Sequence, residues 1–406
     1  MGEAEKSEGK AGVFRRHVLY IPGYDPFPPR RYREFYRKEG AAQAALSGYD
    51  LTMQPRQGAG YGWRVTTSME APAETEMEIL VWSDLVKHSM TPGIVGTYRM
   101  MLRTAWLYLS SGALVRLVGL RKGPMIAALY PAVALILQAM LALTLGGLVV
   151  RFVPGLGLLR WALAAVVVWA VLEGFRRMDR LLLVYYLMQD YAFATQSRGA
   201  WPSVLAERMQ AFRSRLREVL ALGVDEVLVV GHSSGAQIGV SVLADLIREG
   251  LPDDGPALGF LSLGQAIPMV SFLPLAQKLR GDLAYLSTRA DLTWVDVSAP
   301  GDGASFALCD PVAVTGVAPE GQRWPLVLSA AFSQTLSPER WKALKRRFFW
   351  LHFQYLYAFD NLKGELGEYD YFRITAGPLT LAERFAGRSP SASRISRACS
   401  PFRDIA

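Results

Sequence analysis

The chain has 406 residues, of which 51% are hydrophobic and 20% are charged, so it is neither a disordered nor a collagen-like protein. It contains 44 lysine and arginine residues against 36 aspartate and glutamate residues, which gives a net charge of +8. A basic excess suits an anionic membrane surface as well as nucleic acid. The two cysteines, Cys309 and Cys399, form no CxxC motif. We therefore expect a reducing compartment, with neither a disulfide framework nor a structural zinc site.

Apolar segments typical of β-strands alternate with helix-like segments along most of the chain. The predicted strands are 17–21, 62–68, 78–82, 226–230, 258–263 and 293–298, and the predicted helices are 30–46, 203–222, 236–249 and 275–286. This alternation predicts an α/β fold whose mainly parallel sheet is flanked by helices on both faces. Residues 1–12 are polar and lack the apolar core of a secretory signal, so we expect a disordered N-terminus.

Two apolar segments interrupt this alternation in the first half of the chain. Residues 123–150 carry no charge over 28 positions, which exceeds the roughly 20 residues that a helix needs to cross a bilayer. The second segment has a charge-free part of only 12 residues, but Arg160 and Glu173 at its ends can reach the membrane interface. We therefore predict an inserted transmembrane hairpin with helices at about 124–150 and 157–175. A pair of buried core helices is the alternative.

Basic residues beside the two apolar segments indicate how such a hairpin is oriented. Six flank its ends and two lie near its tip: Arg116, Arg121, Lys122, Arg176, Arg177 and Arg180 at the ends, and Arg151 and Arg160 at the tip. Because positive charge is retained on the cytoplasmic side, both ends and the rest of the protein are expected there. The segment 98–120, with three arginines around Trp106, is predicted to lie against lipid headgroups, with a solvated amphipathic helix as the alternative. This distribution of charge forms no basic groove with interleaved aromatic residues, so nucleic-acid binding is not expected.

The segment 231–235 reads GHSSG, a G-x-S-x-G motif between the predicted strand 226–230 and a helix that begins at Ala236. In a nucleophile elbow the serine occupies a strained turn from strand to helix, which makes its hydroxyl point out of the sheet. Ser233 would also lie at a helix N-terminus, where developing negative charge is favoured. We therefore predict that Ser233 is a nucleophile. An ordinary turn rich in glycine and serine is the alternative.

A serine nucleophile needs a base, and histidine is the usual one. Of the four histidines only His352 follows Ser233 in the chain, so we predict His352 as the base, against the alternative of a packed histidine among aromatic residues. His17 starts a strand and His88 precedes the apolar segments. His232 belongs to the motif itself, and its side chain is expected to point away from the Ser233 hydroxyl.

The acid that orients such a histidine is expected between Ser233 and His352, just beyond a strand that follows the motif. The candidates in this interval are Asp291, Asp296, Asp302 and Asp310. Asp302 is preferred because its loop directly follows the predicted strand 293–298. Asp310 and Asp296 remain open, although Asp296 lies within the strand and is suited to a structural pairing.

The GHSSG motif, the chain order of Ser233, Asp302 and His352, and the alternating segments resemble the α/β-hydrolase superfamily on its lipase and esterase side. GHSSG is close to the GHSxG motif that is common among bacterial lipases and esterases. The resemblance covers roughly residues 13–90 and 200–375. It implies an α/β-hydrolase fold in which the transmembrane hairpin is inserted before the nucleophile.

By this resemblance, the backbone amides of Ser234 and Tyr24 would form the oxyanion hole, although the loop around Tyr24 has no HGGG sequence. No metal or organic cofactor is implied. The expected substrate is an acyl ester or lipid-like molecule, presented by membrane lipids and cleaved through an acyl-enzyme on Ser233. A non-catalytic membrane scaffold is the alternative, as is an acyltransferase, amidase or thioesterase that uses the same three residues.

The predicted organisation is therefore a catalytic domain interrupted by a membrane-associated insert. Its parts are a disordered N-terminus over 1–12, the catalytic domain over 13–95 and 196–385, the insert over 96–195 and a basic mobile tail over 386–406. We expect an integral membrane protein of a bacterial inner membrane, with the catalytic domain in the cytoplasm.

Overall fold

A computed structural model describes residues 13–56, 58, 60–90, 93–364 and 369–406, so the predicted disordered segment 1–12 lies outside the described residues. The strands are β1 (Phe14–Ile21), β2 (Leu51–Pro55), β3 (Tyr61–Ser68), β4 (Pro72–Ile79), β5 (Glu226–His232), β6 (Ala257–Leu263), β7 (Thr293–Ser298) and β8 (Leu326–Ser329). The helices are α1 (Arg30–Ser47), α2 (Ser83–Ser89), α3 (Gly93–Ser110), α4 (Ala113–Leu120), α5 (Lys122–Phe152), α6 (Leu159–Arg177), α7 (Asp179–Leu182), α8 (Val184–Thr195), α9 (Ser203–Leu220), α10 (Ser234–Arg248), α11 (Pro268–Ser271), α12 (Gln277–Ser287), α13 (Pro311–Thr315), α14 (Phe332–Thr335), α15 (Pro338–Leu344), α16 (Phe348–His352), α17 (Tyr371–Ala376) and α18 (Leu381–Arg384).

The strands form one eight-stranded sheet in the order β2-β3-β4-β1-β5-β6-β7-β8. Neighbouring strands from β4 to β8 pair in parallel, whereas β3 pairs antiparallel with both β2 and β4. Helices cover both faces, so the predicted α/β class with a mostly parallel sheet is confirmed. The parallel half places the carboxyl ends of β1, β5, β6 and β7 side by side at one edge, which is where α/β sheets present their ligand sites.

Three strands differ from the prediction. β4 begins at Pro72 rather than near residue 78, because its first half alternates buried and exposed side chains instead of forming an apolar run. β2 was not predicted, since it is an edge strand with no fully buried side chain. β8 was not predicted either, and it has only four residues. The two edge strands and the first half of β4 therefore lack the long continuous apolar run of a central parallel strand, since the apolar part of β8 is only Leu326–Leu328.

Alternate side chains of the central strands enter two separate cores, one on each face of the sheet. Leu19 of β1 and Val229 of β5 lie in the core beneath α9, α10 and α12. Their neighbours Tyr20 and Val230 lie in the opposite core, with α1 and α17. This alternation is the pleat of a strand that is buried on both faces. β5 is therefore packed on both faces at the centre of the sheet.

The two apolar segments form the long helices α5 and α6, which pack against each other. At Gly146 of α5 an added Cβ would lie 2.8 Å from Val168 Cγ2 of α6, so the helices approach closely there. Among the described residues α5 is the one helix long and apolar enough to cross a membrane, and 22% of its most apolar 18-residue stretch is buried in protein. α6 is too charged to meet the same criterion for a membrane-spanning helix, which allows two charged residues in 18. Every 18-residue stretch of α6 contains at least three: Arg160, Glu173 and Arg176.

The predicted helix over 98–120 is two helices, α3 and α4, separated at Gly112. Gly112 has a φ of 71°, a left-handed conformation that glycine adopts without a steric penalty and that ends a helix. Trp106 on α3 is 73% exposed and Val115 on α4 is also 73% exposed. Exposed apolar side chains of the insert are therefore present on α3 and α4 as well as on α5 and α6.

The basic tail predicted as mobile is packed against the domain instead. Ile395 pairs with Cys309 through an isolated β-bridge, and the Cys399 amide donates to the Val314 carbonyl at 2.8 Å. The fully buried Arg280 guanidinium donates to the Asp404 carboxylate at 2.9 Å. The serine- and arginine-rich composition of the tail gives no sign of these few contacts, but they are what hold the tail against the domain.

Candidate active site

The GHSSG segment forms the turn from β5 into α10. Ser233 has φ 55° and ψ −122°, a conformation that residues with a side chain rarely adopt. An added Cβ on Gly235 would lie 2.2 Å from the Ile21 carbonyl oxygen, and one on Gly231 would lie 2.8 Å from Ala236 Cα. Both positions therefore require glycine. The Ser233 amide donates to the Leu263 carbonyl at 2.9 Å, which ties the turn to the end of β6.

His352 and Asp302 meet directly, as a base and its orienting acid would. His352 ends α16, Asp302 lies in the loop after β7, and Nδ1 of the histidine is 2.8 Å from Oδ2 of the aspartate. The Ala304 amide donates to Asp302 Oδ1 at 2.9 Å. Among the described residues, the Ser233 hydroxyl makes no hydrogen bond to His352. Such bonds are often long until a substrate binds.

His352 and Asp302 each stabilise the charged form of the other. Burial alone would lower the pKa of His352, but the charge of Asp302 and the hydrogen bond to it outweigh burial, so the pKa is raised. Burial alone would raise the pKa of Asp302, but the charge of His352 and several hydrogen bonds hold it below its usual value. Asp302 is therefore a carboxylate at neutral pH and can stabilise a histidine that gains a proton.

Tyr355 is a part of this arrangement that the sequence did not reveal. Its hydroxyl donates to Asp302 Oδ2 at 3.0 Å and accepts from the Ala299 amide at 3.0 Å. Tyr355 is fully buried and follows His352 by one helical turn. It thus links the loop after β7 to the histidine segment. The spacing of three residues from the only downstream histidine was the available signal.

The other acid candidates make different contacts. Asp296 is buried within β7 and accepts from the Ser262 hydroxyl at 2.6 Å, and burial raises its pKa to about 7. Asp310 caps α13 by accepting from the amides of Val312 and Ala313. Asp291 is exposed to solvent and pairs with Arg289. Of the four candidates, Asp302 is the one that contacts His352.

The His232 side chain, expected to point away from the Ser233 hydroxyl, contacts the segment that carries His352. Its Nε2 lies 3.0 Å from the His352 carbonyl oxygen, and the two imidazole rings are 4.8 Å apart. Burial lowers the pKa of His232 to about 3, so it is neutral. Because a carbonyl oxygen can only accept, Nε2 must carry the proton. His232 therefore holds the backbone of His352 in place.

Tyr24 and Ser234, predicted as oxyanion-hole donors, are in contact with each other. The Tyr24 amide donates to the Ser234 side-chain oxygen at 2.8 Å, and the Ser234 amide is the first of α10. An added Cβ on Gly23 would lie 3.0 Å from Ser233 Cβ and 3.5 Å from its Oγ. The loop after β1 is therefore packed directly against the serine. Its position suits donation to an oxygen bound beside Ser233.

The insert contributes to the wall of the site. The Tyr186 hydroxyl of α8 donates to the Tyr24 carbonyl at 2.7 Å, and the ring of Phe193 lies 5.4 Å from that of Tyr24. At the base of α5, the Arg121 guanidinium donates twice to the Ala307 carbonyl, at 2.6 and 2.8 Å. Arg121, just before the hairpin, thus contacts the loop that carries Asp302, and α8, after the hairpin, contacts the loop that carries Tyr24.

Searches against protein-family models, curated proteins and solved structures found no match to this chain. In the part of the chain that the structure describes, no group of three or more histidine, cysteine, aspartate or glutamate side chains could hold a metal ion.

Proposed function

We propose that the protein is a serine hydrolase of the α/β-hydrolase type that cleaves carboxylic esters. The observation that carries the proposal is the direct Asp302–His352 hydrogen bond beside the strained turn of Ser233. A strained serine between a central strand and a helix is the structural context of a nucleophile elbow. A buried carboxylate on Nδ1 leaves Nε2 of the histidine as the nitrogen that can exchange a proton.

In this mechanism the Ser233 oxygen attacks the ester carbonyl carbon while His352 takes the serine proton. His352 then gives that proton to the alcohol oxygen as the ester bond breaks, which leaves an acyl group on Ser233. A water molecule attacks the acyl-enzyme while His352 takes its proton, and His352 then returns that proton to the Ser233 oxygen as the bond to the acyl group breaks and the acid leaves. Asp302 remains a carboxylate throughout and stabilises the protonated histidine.

The negative charge that develops on the carbonyl oxygen needs hydrogen-bond donors. The Ser234 amide at the N-terminus of α10 is the first proposed donor. The Tyr24 amide is the second, and the Ser234 hydroxyl that it contacts must rotate aside or share it. Donation by Tyr24 to the substrate therefore requires its amide to leave or share its present partner, the Ser234 side-chain oxygen.

We further propose that α5 and α6 form a membrane hairpin, with the hydrolase domain on the cytoplasmic side and lipid-like acyl esters as substrates. Large apolar side chains of both helices are exposed: Ile126, Leu137, Met140 and Leu143 on α5, and Leu159, Trp161, Val166 and Trp169 on α6. A contiguous apolar surface of this kind is unfavourable in water. Support also comes from the arginines at the ends of the hairpin. If α6 crosses the bilayer, Arg160 and Glu173 near its two ends would lie at the membrane–water interfaces.

The decisive experiment is covalent labelling of the detergent-solubilised full-length protein with a fluorophosphonate, followed by intact-mass measurement. We expect a single adduct in the natural protein and none in Ser233→Ala. Ser68→Ala, which changes an exposed serine outside the site, is the matched control and should label normally. A natural protein that does not label would favour the non-catalytic scaffold, and labelling retained in Ser233→Ala would reject Ser233 as the nucleophile.

A further inference from the structure

A narrow cavity lies next to the proposed oxyanion donors, between α8 of the insert and the first turn of α10. Four aromatic side chains line it together with aliphatic ones, and the aromatic ones are Tyr24, Trp82, Phe193 and Trp201. Three polar residues, Asp190, Ser234 and Gln237, also line the cavity. The cavity volume is about 20 Å³, which accommodates a group about the size of one water molecule. A flexible acyl chain would not fit.

Asp190 is turned toward the site by its position on α8. Tyr186, Asp190 and Phe193 share one helical face, since they are spaced by four and three residues. Both aromatic neighbours contact Tyr24. Among the described residues the Asp190 carboxylate forms no hydrogen bond or ion pair. Desolvation raises the pKa of Asp190 to about 7, against the opposing charge of His352.

Gln237 presents a second acceptor from the opposite wall. It lies on α10 three residues after Ser234 and is 6% exposed. Its Oε1 atom is buried and has no hydrogen-bond partner among the described residues. A buried carbonyl oxygen without a donor is unfavourable, so most such atoms in folded proteins have a partner. A ligand that brings a donor into the cavity would remove that deficit.

We propose that this cavity is a substrate subsite for one small hydrogen-bond donor, a hydroxyl or a primary ammonium group close to the scissile ester. The donor would bind between Gln237 Oε1 and the Asp190 carboxylate. Gln237 Oε1 and the Asp190 oxygens are acceptors to which no donor among the described residues binds, which favours a ligand that donates, and the volume selects a single small group. The cavity shares Tyr24 and Ser234 with the proposed oxyanion site, which places the donor within a few bonds of the ester carbonyl. This inference rests on the proposed function.

A hydroxyl and an ammonium group would be held by the same acceptors but for different reasons. A hydroxyl carries one proton and can donate to only one of the two acceptors at a time, whereas an ammonium group can donate to both. An ammonium group would also gain from the negative charge of Asp190 and from the faces of the aromatic rings. The substitution Asp190→Asn separates the two cases, because asparagine keeps an acceptor oxygen but removes the charge.

The test is competition for Ser233 in the full-length, detergent-solubilised protein. The propyl, 2-hydroxyethyl and 2-aminoethyl esters of one fatty acid vary the alcohol, and 4-nitrophenyl butanoate and 3-hydroxybutanoate vary the acyl group. Each ester competes with a fluorophosphonate, and the concentration that halves the labelling rate reports binding whether or not the ester is hydrolysed. We expect the donor-bearing member of at least one series to compete about 10- to 100-fold better than its apolar match.

Variants assign that preference to the cavity. Gln237→Leu and Asp190→Leu should reduce the ratio between matched esters toward one, and Asp190→Asn should do so for the ammonium ester but not for the hydroxyl ester. Glu207→Gln, an exposed carboxylate on α9 outside the cavity, should keep the natural ratio. Thermal unfolding of each variant shows whether it is folded.

Each outcome decides between the two proposals. Labelling of the natural protein with equal competition by matched esters in both series would overturn the subsite and leave the serine hydrolase intact. A preference that survives both leucine variants would place the donor elsewhere and would also overturn the subsite. Absence of labelling in the natural protein would instead overturn the proposed hydrolase on which the subsite rests.

Discussion

Nδ1 of His352 lies 2.8 Å from Oδ2 of Asp302, although 50 residues separate the two in the chain. The Tyr355 hydroxyl donates to the same carboxylate oxygen, and the Ala304 amide donates to the other. Three donors therefore converge on one buried carboxylate. Because the protein supplies all three, the orientation of the His352 ring is determined before any substrate binds.

The first prediction concerns the acid. Asp302→Asn should lower kcat on a soluble short-chain ester by about 10²- to 10⁴-fold, because the amide no longer holds the imidazole in the required tautomer. Asp296→Asn and Asp310→Asn are the matched controls, since neither carboxylate contacts His352. Steady-state kinetics and thermal unfolding of all three variants check this. A larger loss of kcat in Asp310→Asn than in Asp302→Asn would reassign the acid.

The second prediction concerns Tyr355 as a positioning residue. Tyr355→Phe removes a hydrogen bond to a charged oxygen, a contribution of about 1.5–3 kcal/mol, so kcat/KM should fall about 10- to 100-fold. Tyr357→Phe changes a neighbouring tyrosine that lies outside the Asp302 contacts and should have little effect. Unchanged kcat/KM in a folded Tyr355→Phe protein would show that the Ala304 amide and His352 suffice to hold Asp302.

The third prediction is the pH dependence of the reaction. His352 must be neutral to accept a proton, and its pKa is raised above 6.5, chiefly because the Asp302 carboxylate overcomes the effect of burial. In the natural protein kcat/KM should therefore rise with pH through a midpoint above 6.5. Asp302→Asn removes the charge that raises this pKa, so the midpoint should move to lower pH.

This profile is measured with a soluble ester between about pH 5 and 9, using Asp296→Asn as the control with an unchanged midpoint. A natural midpoint below 6.5 would contradict the prediction. So would a midpoint that stays in place in Asp302→Asn.

The fourth prediction concerns the hairpin. The protein should remain in the membrane fraction after washing with alkaline carbonate, because lipid would cover the exposed apolar surface of α5 and α6. Release into the wash would remove the membrane proposal. The result is independent of the chemistry at Ser233, so it tests the location of the protein alone.

A shortened variant tests whether the hairpin also delivers substrate. Replacing residues 140–171 with a short polar linker removes the outer part of the hairpin but keeps Met125 and Leu135, which pack against the insert and domain. Burial of an acyl chain is worth about 0.8 kcal/mol per CH₂, so a long chain gains much by entering directly from lipid. We expect activity on a soluble short-chain ester to persist and activity on a bilayer-embedded long-chain ester to fall. Equal losses on both would assign the hairpin to the support of the fold.

The α/β class and the apolar character of the segment that forms α5 can be predicted from the amino-acid sequence alone. Strand 226–230 and its neighbours are continuous apolar runs, and such runs are what a parallel sheet buried on both faces requires. The tight turn at Ser233 could also be located, because two glycines around a serine at a strand–helix junction are a local pattern. These features depend on residues that are neighbours in the chain, and local patterns therefore reveal them.

Contacts between residues that are distant in the chain depend on the folded backbone. Asp302 and Asp310 are equivalent by chain order, but the loop after β7 brings the first to His352 while the second caps a helix. Tyr355 and Asp190 had no motif to mark them, because their contacts come from segments that the sheet and the insert bring together. The contacts that pack the tail against the domain could not be predicted for the same reason. A hydrogen bond between distant residues depends on the path of the backbone between them, and no periodicity in the sequence encodes that path.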